Sequence, residues 1–231
     1  MQIGALGDIH GAFETVQQIV RRHGEVPLWV CVGDVASNDG EYFSPEAPIY
    51  FIKGNNEDFD VIAAAITGHP PAPTLTYLPN GGPHVVGPWR VAALGGTFAP
   101  SWYNTPAASL PPSKGRKASG ATLKLGKSRD DKRRHFVRDE VIACKGLKNI
   151  DLFLTHEAPR PFYPAGRHID AGKTVLNEIL TTMRPRLHLF GHHHEFTDSE
   201  RQGVRSIGLD MVTKSYLLIQ QETFRCERLD T

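Results

Sequence analysis

Apolar residues in this chain gather in short runs that stop at glycine, with helically spaced segments between them. Residues 2–6 form one such run, ended by Gly7; 28–32 is continuously apolar and closes at Gly33; 49–52 leads through Lys53 to Gly54. Runs of this length bounded by turn residues predict strands, and the unbroken apolarity of 28–32 predicts burial on both faces. Between the first two runs, Phe13, Val16, Ile19 and Val20 recur at helical spacing over 13–23. A second helix is expected over 58–66, with Asp58 as its N-cap. From 75 to 95 the pattern changes. The runs 75–78, 84–86 and 89–93 are separated by Asn80-Gly81-Gly82-Pro83 and Gly87-Pro88, which predicts an antiparallel set. Alternation then resumes with a helix over 135–145, a strand at 150–154, a helix over 171–183 and strands at 187–190, 204–207 and 216–219. No internal repeat is visible, and the order of elements predicts an α/β fold.

Composition adds bounds. With 231 residues, 40% hydrophobic and 22% charged, the chain is expected to be one globular domain over 1–231. A chain of this size buries roughly 70% of its unfolded surface, so it needs no structural metal, and any metal it binds is expected to be catalytic. The net charge of +1 gives no reason to expect nucleic acid, but the charge is unevenly spread. The segment 98–134 carries Pro100, Pro106, Pro111 and Pro112. Its nine Lys and Arg stand against Asp130 and Asp131, a local net of +7 that leaves −6 elsewhere. So long a Pro/Gly-rich insertion is either a solvated surface loop or a lid facing a polyanion. Cys31, Cys144 and Cys226 lie far apart without CxxC spacing, as expected of unpaired thiols in a reducing compartment. No apolar stretch approaches the ~18 residues of a membrane span, and the N-terminal run is too short for a signal peptide. A cytoplasmic protein without membrane partners is expected; the pattern does not speak to oligomeric state.

Candidate chemistry sits at five predicted strand ends: Gly7-Asp8-Ile9-His10-Gly11, Gly33-Asp34, Gly54-Asn55-Asn56-Glu57, Thr155-His156-Glu157 and Gly191-His192-His193-His194. Open α/β sheets assemble their sites at the carboxyl ends of strands. Glycine lets the chain turn there and approach an ion closely. Carboxylate and imidazole suit Mn, Fe or Zn, and a carboxylate shared by two ions sets them about 3.5–4 Å apart. Asp8, His10, Asp34, Asn55, His156, His192 and His194 are therefore the expected ligands. His23, His69 and His188, by contrast, are expected to be structural.

These motifs, in this order, resemble those of the calcineurin-like metallophosphoesterases over nearly the whole chain. The resemblance implies a four-layer αββα sandwich of two mixed sheets flanked by helices. It also implies a two-metal phosphoesterase in which Asp8, His10 and His194 hold one ion, Asn55, His156 and His192 the other, and Asp34 bridges them. Gly95-Gly96-Thr97-Phe98, Arg134-His135-Phe136-Val137-Arg138 and the run from Asp151 to Pro159 look most like the lariat-debranching enzymes and their Cwf19-like relatives. Debranching enzymes carry cysteine where this chain has Asp8, so an ordinary two-metal site is expected. The family's third-motif histidine is Asn56 here, and an amide cannot donate a proton near neutral pH. The Cwf19-like relatives also carry asparagine there but lose other ligands that this chain keeps.

The expected reaction is attack on phosphorus by a hydroxide shared between the two ions, with Asp34, Asn56 and His193 as catalytic positions and Glu57 or His84 as further substitutes for the missing acid. The expected substrate is a phosphodiester: RNA, DNA or a cyclic nucleotide. Arg160, Arg167 and His84 are expected to contact it. The alternatives are a phosphomonoesterase or nucleotide pyrophosphatase, and a weakly active or inactive nucleic-acid adaptor. Trp102 and Tyr103, aromatic residues of the basic segment, are either base-stacking residues or packing residues near the site mouth.

Overall fold

The computed structural model describes residues 1–113 and 130–231. It contains two mixed six-stranded sheets. The first has the strand order β12-β11-β1-β2-β3-β4, with β1 (Gln2–Leu6), β2 (Trp29–Cys31), β3 (Ile49–Phe51), β4 (Leu75–Tyr77), β11 (Ser215–Gln220) and β12 (Cys226–Asp230). The second is β5-β6-β7-β8-β10-β9, with β5 (Gly81–Val86), β6 (Trp89–Leu94), β7 (Leu152–Thr155), β8 (Leu187–Phe190), β9 (Thr197–Arg201) and β10 (Val204–Gly208). Strands β1 to β4 run parallel to one another, as do β6, β7, β8 and β10.

Period-two alternation divides the apolar residues among three layers of core. Val30 of β2 and Val32 just past its end face the second sheet and join Leu152, Leu154, Leu187 and Leu189 between the sheets. Trp29 and Cys31 point the other way, onto Val16, Ile19 and Val20 of α1 (Phe13–Arg22) and Ile62 of α2 (Phe59–Ile66). Beyond the second sheet, Ala92, Leu94 and Phe153 pack against α3 (Arg138–Lys145) and α4 (Thr174–Met183). The result is helix, sheet, sheet, helix, the four layers expected. Asp58 caps α2 as expected, accepting from the amides of Asp60 and Val61. No helix among the described residues is long and apolar enough to cross a membrane, and the three cysteines are unpaired.

Several expectations need correction. The run at 75–78 is not part of an antiparallel set. β4 pairs parallel with β3, Leu75 opposite Ile49, because α2 carries the chain over in a βαβ crossover. Of the three runs only the second and third, β5 and β6, pair antiparallel, and β5 begins at Gly81 inside the stretch read as a turn, with a register shift between Gly81 and His84. α3 starts three residues later than expected, where the Glu140 carboxylate accepts from the Val137 amide. α4 starts at Thr174 because Lys173 is extended and its amide bonds the Ala158 carbonyl. β9 and β12 escape the apolar pattern altogether. They are sheet edges whose mostly charged or polar side chains face water, the usual protection of an unpaired edge. Six of the insertion's nine cations fall within 114–129, outside the described residues. Its described ends are packed: Tyr103 lies edge-on to Phe98 at 5.2 Å, and Leu110 is buried. Lys132 sits over Trp102 at 5.9 Å.

His188 is structural, as expected. It is fully buried, its Nε2 2.9 Å from Thr155 Oγ1 and its Nδ1 3.1 Å from Ser206 Oγ. Burial pushes its pKa down to about 3. The folded state therefore refuses a proton that the unfolded chain accepts below about pH 6.5. Stability from this group is complete above that pH and falls as pH drops toward 3, by about 2 kcal/mol at pH 5. Denaturant melts of wild type and His188→Gln at pH 7 and 5 should show a smaller pH-dependent loss in the variant. Equal losses in both would rule His188 out as the source.

Candidate metal centre

The five motifs, four of them bounded by glycine, do follow neighbouring strands: β1, β2 and β3 in the first sheet, β7 and β8 in the second. The turns that follow are tight enough to put four non-glycine residues in the left-handed region: His10 (φ 48°), Asp34 (φ 52°), His192 (φ 71°) and His194 (φ 53°). Each costs about 1–3 kcal/mol, a strain that persists where a site demands it. Glycine is required beside them for a different reason. A Cβ on Gly54 would stand 2.6 Å from the carboxyl carbon of Asp34, and one on Gly33 would stand 2.9 Å from His156 Nδ1.

The side chains converge in two groups that share Asp8: Asp8 with His10 and His194, and Asp8 with Asp34 and His156. In the first, His194 Nε2 lies 3.1 Å from Asp8 Oδ2 and 3.1 Å from His10 Nε2. In the second, Asp34 Oδ2 lies 3.7 Å from His156 Nε2 and, on its other side, 3.5 Å from His10 Nε2. Asn55 Oδ1 completes this side, 3.2 Å from His156 Nε2. The His192 ring lies 4.9 Å from that of His156, outside both carboxylate–imidazole groups. His156 Nδ1 is held by the Val32 carbonyl at 2.8 Å, which turns Nε2 toward Asn55 and Asp34 as an outer-shell partner does for a metal-binding histidine. Ligand atoms around an ion with bonds of about 2.1 Å stand roughly 3.0–3.4 Å apart, so these spacings and donor types fit divalent ions.

Electrostatics favours cations here. Burial alone would raise the Asp34 carboxyl, but neighbouring His156 and His10 and two N–H bonds from Asn56 outweigh it and hold it below the ordinary range. His156 is lowered by burial yet ends above its usual value because Asp34 and Asp8 face it. His194 is raised by its bond to Asp8. His192, pushed down to about 3 by burial and by His156, stays neutral with its lone pair available.

Asn56 has a task that its position alone does not disclose. Its amide N–H donates to Asp34 Oδ1 at 2.7 Å and its side-chain Nδ2 to Oδ2 at 2.9 Å, clamping both carboxylate oxygens. Glu57, buried beside it, accepts from the amides of Val35, Ala36 and Gly54 and from Tyr42 Oη, so it ties the second motif to the third. Burial, with Asp34 nearby, raises its carboxyl to about 7. Lys53 was missed: buried, it donates to the carbonyls of Arg133 and His135 and fastens the far end of the basic insertion to the third motif. A lysine inside an apolar strand end was the available signal.

The remaining expected residues stand outside the two carboxylate–imidazole groups. His193 stacks on Phe162 at 4.5 Å, and burial pushes it down to about 4, so near neutral pH it is no imidazolium acid. His84 stands opposite Val91, well before the site end of β6, and bonds the Pro79 carbonyl. Arg160 is engaged with Asp170 at 2.6 Å. Arg167 is exposed on the loop between β7 and α4.

The calcineurin-like phosphoesterase superfamily domain matches residues 1–209. The chain belongs to this family. Members generally hydrolyse phosphoesters with metal ions, and the Asp and His groups described here fit that requirement. No curated protein matches the chain in sequence. One solved structure superposes with a TM-score of 0.69 at 11% identity, covering 99% of this chain and 98% of the other. The protein TT1561 of Thermus thermophilus does so at 0.62 and 14%, over 99% and 98%. A novel archaeal phosphodiesterase aligns at 0.50 and 12%, over the whole of both chains. At these identities the likeness is one of fold.

Proposed function

We propose that the chain is a two-metal phosphodiesterase acting on nucleotide or nucleic-acid diesters, with residues 1–231 working as one unit. The observation that carries this reading is the Asp34 carboxylate, clamped by Asn56 and flanked by His10 and His156. On this reading Asp8, His10 and His194 hold one ion, Asn55, His156 and His192 the other, and Asp34 both; Mn, Fe and Zn suit the donors. When bound, the ions supply Lewis acidity to the phosphoryl oxygens and a nucleophile at neutral pH.

The protein's own part is positioning. Asn56 fixes the direction of the Asp34 carboxylate, Val32 fixes His156, and Glu57 holds the loops that carry them. At position 56 there is no acidic proton for the leaving oxygen, which departs with the bonding pair as the new P–O bond forms. Substrates with stable leaving anions are accordingly favoured. The basic insertion supports a polyanionic substrate. The debranching-like segments and the archaeal phosphodiesterase of similar fold lean the same way. Unpaired cysteines fit a cytoplasmic setting. A non-catalytic adaptor is the second reading, favoured by the Asn56 amide being spent on Asp34.

The test is hydrolysis of an aryl phosphodiester and the matching monoester by chelated protein resupplied separately with Mn, Fe and Zn. Metal-dependent turnover with the diester preferred is expected. Faster monoester turnover would move the assignment to a phosphomonoesterase, and no turnover with two ions bound per chain would favour the adaptor.

A further inference from the structure

The loop joining β7 to α4 is braced along most of its length. Asp170 accepts from Arg160 Nε at 2.6 Å, from the Phe162 amide at 2.8 Å and from the Gly172 amide at 2.9 Å. The Ala171 amide closes the loop onto the Phe162 carbonyl at 2.7 Å. Asn177 of α4 bonds both the amide and the carbonyl of Arg160, which roots the base in the helix. The other side leans on the fifth motif: Phe162 stacks on His193, and the Ala165 amide donates to Glu195 at 2.8 Å, one residue past His194. A surface loop without a task has no need of so many internal bonds. This one holds its tip rigid beside the metal centre.

The tip is costly in water. Tyr163 is 57% exposed and Ile169 80% exposed, two of the few large apolar residues left open on the surface among the described residues. Between them in sequence stands exposed Arg167, whose charge reaches His193. An aromatic ring, an aliphatic side chain on the same loop and a guanidinium on a braced support are what a base and its phosphate require. Stacking serves every base, and arginine serves the phosphate oxygens. Pre-ordering of the tip also lowers the entropy lost on binding.

We propose that residues 162–171 form the base-recognition element of this site, with a nucleobase of the substrate stacking on Tyr163 against Ile169 and its phosphate beside Arg167. This rests on the diesterase reading and specifies it: the diester carries a nucleoside on the side of the fifth motif. Arg160, earlier expected to touch phosphate, is the brace that holds this tip.

Two diesters with the same leaving group test the proposal: thymidine 5′-(4-nitrophenyl) phosphate, which has a base, and methyl 4-nitrophenyl phosphate, which has none. Tyr163→Ala should raise KM for the thymidine diester about tenfold with kcat nearly unchanged, and leave both constants for the methyl diester as in wild type. Tyr163→Phe should restore the thymidine KM. Turnover of the methyl diester with an unchanged thymidine KM in Tyr163→Ala would overturn the proposal while leaving the diesterase reading intact. If neither diester is turned over, the diesterase reading falls on its own. The loop is then judged by fluorescence anisotropy of labelled oligothymidylate: about tenfold weaker binding by Tyr163→Ala supports base recognition, and equal binding overturns it.

Discussion

Asp34→Asn should reduce diester turnover by ~10³-fold or more without unfolding the protein. The carboxylate stands between His10 and His156 and, with Asp8, is a buried anion that both imidazoles face. Replacing it with an amide removes that anion, and electrostatic and metal contributions of this kind supply several kcal/mol to a transition state. The backbone should tolerate the change. Asparagine accepts the left-handed φ of 52° as readily as aspartate, and the amide oxygen can still receive the Asn56 N–H. The comparison is turnover at saturating Mn together with bound metal per chain and the thermal midpoint. A variant that keeps its midpoint and its full rate would sink the proposed role of Asp34.

Gly54→Ala should be nearly as damaging for a purely steric reason. Gly54 lies against the Asp34 carboxyl group and main chain, so a methyl group there must displace the loop that bears the carboxylate. Misplacement of a reacting group by about 1 Å can cost ~10² in rate, and overpacking a tight site costs roughly 1–3 kcal/mol of stability. A loss of about a hundredfold in turnover is expected, with weaker metal binding by equilibrium dialysis. Normal metal affinity and normal rate would show that the loop has slack the structure does not display.

Much of this centre was legible in the sequence because its signals are local. An apolar run, a glycine and then a carboxylate, amide or imidazole can be read within a few residues, and Asp8, Asp34, Asn55, His156 and His194 come together at strand ends. What was not legible depends on partners distant in sequence. Asn56 reads as a missing acid until its amide is seen on Asp34, 22 residues earlier. Arg160 reads as a free cation until Asp170 folds back to it. The placement of β4 follows from a crossover, not from its own residues, and β9 and β12 are too polar to announce themselves. His84 shows the converse: a histidine near turn signals that the sheet register carries away from the centre.

The pairing of β1 with β11, the strand at one end of the chain with one near the other, has a consequence for synthesis. His10 and His194 are separated by 184 positions yet stand 3.1 Å apart. Contacts so distant in sequence are slow to form because loop closure must precede them. A ribosome-bound chain holds only fragments of the centre until the fifth motif, at 191–194, has emerged. The two imidazoles can therefore meet only after the segments that carry both have emerged.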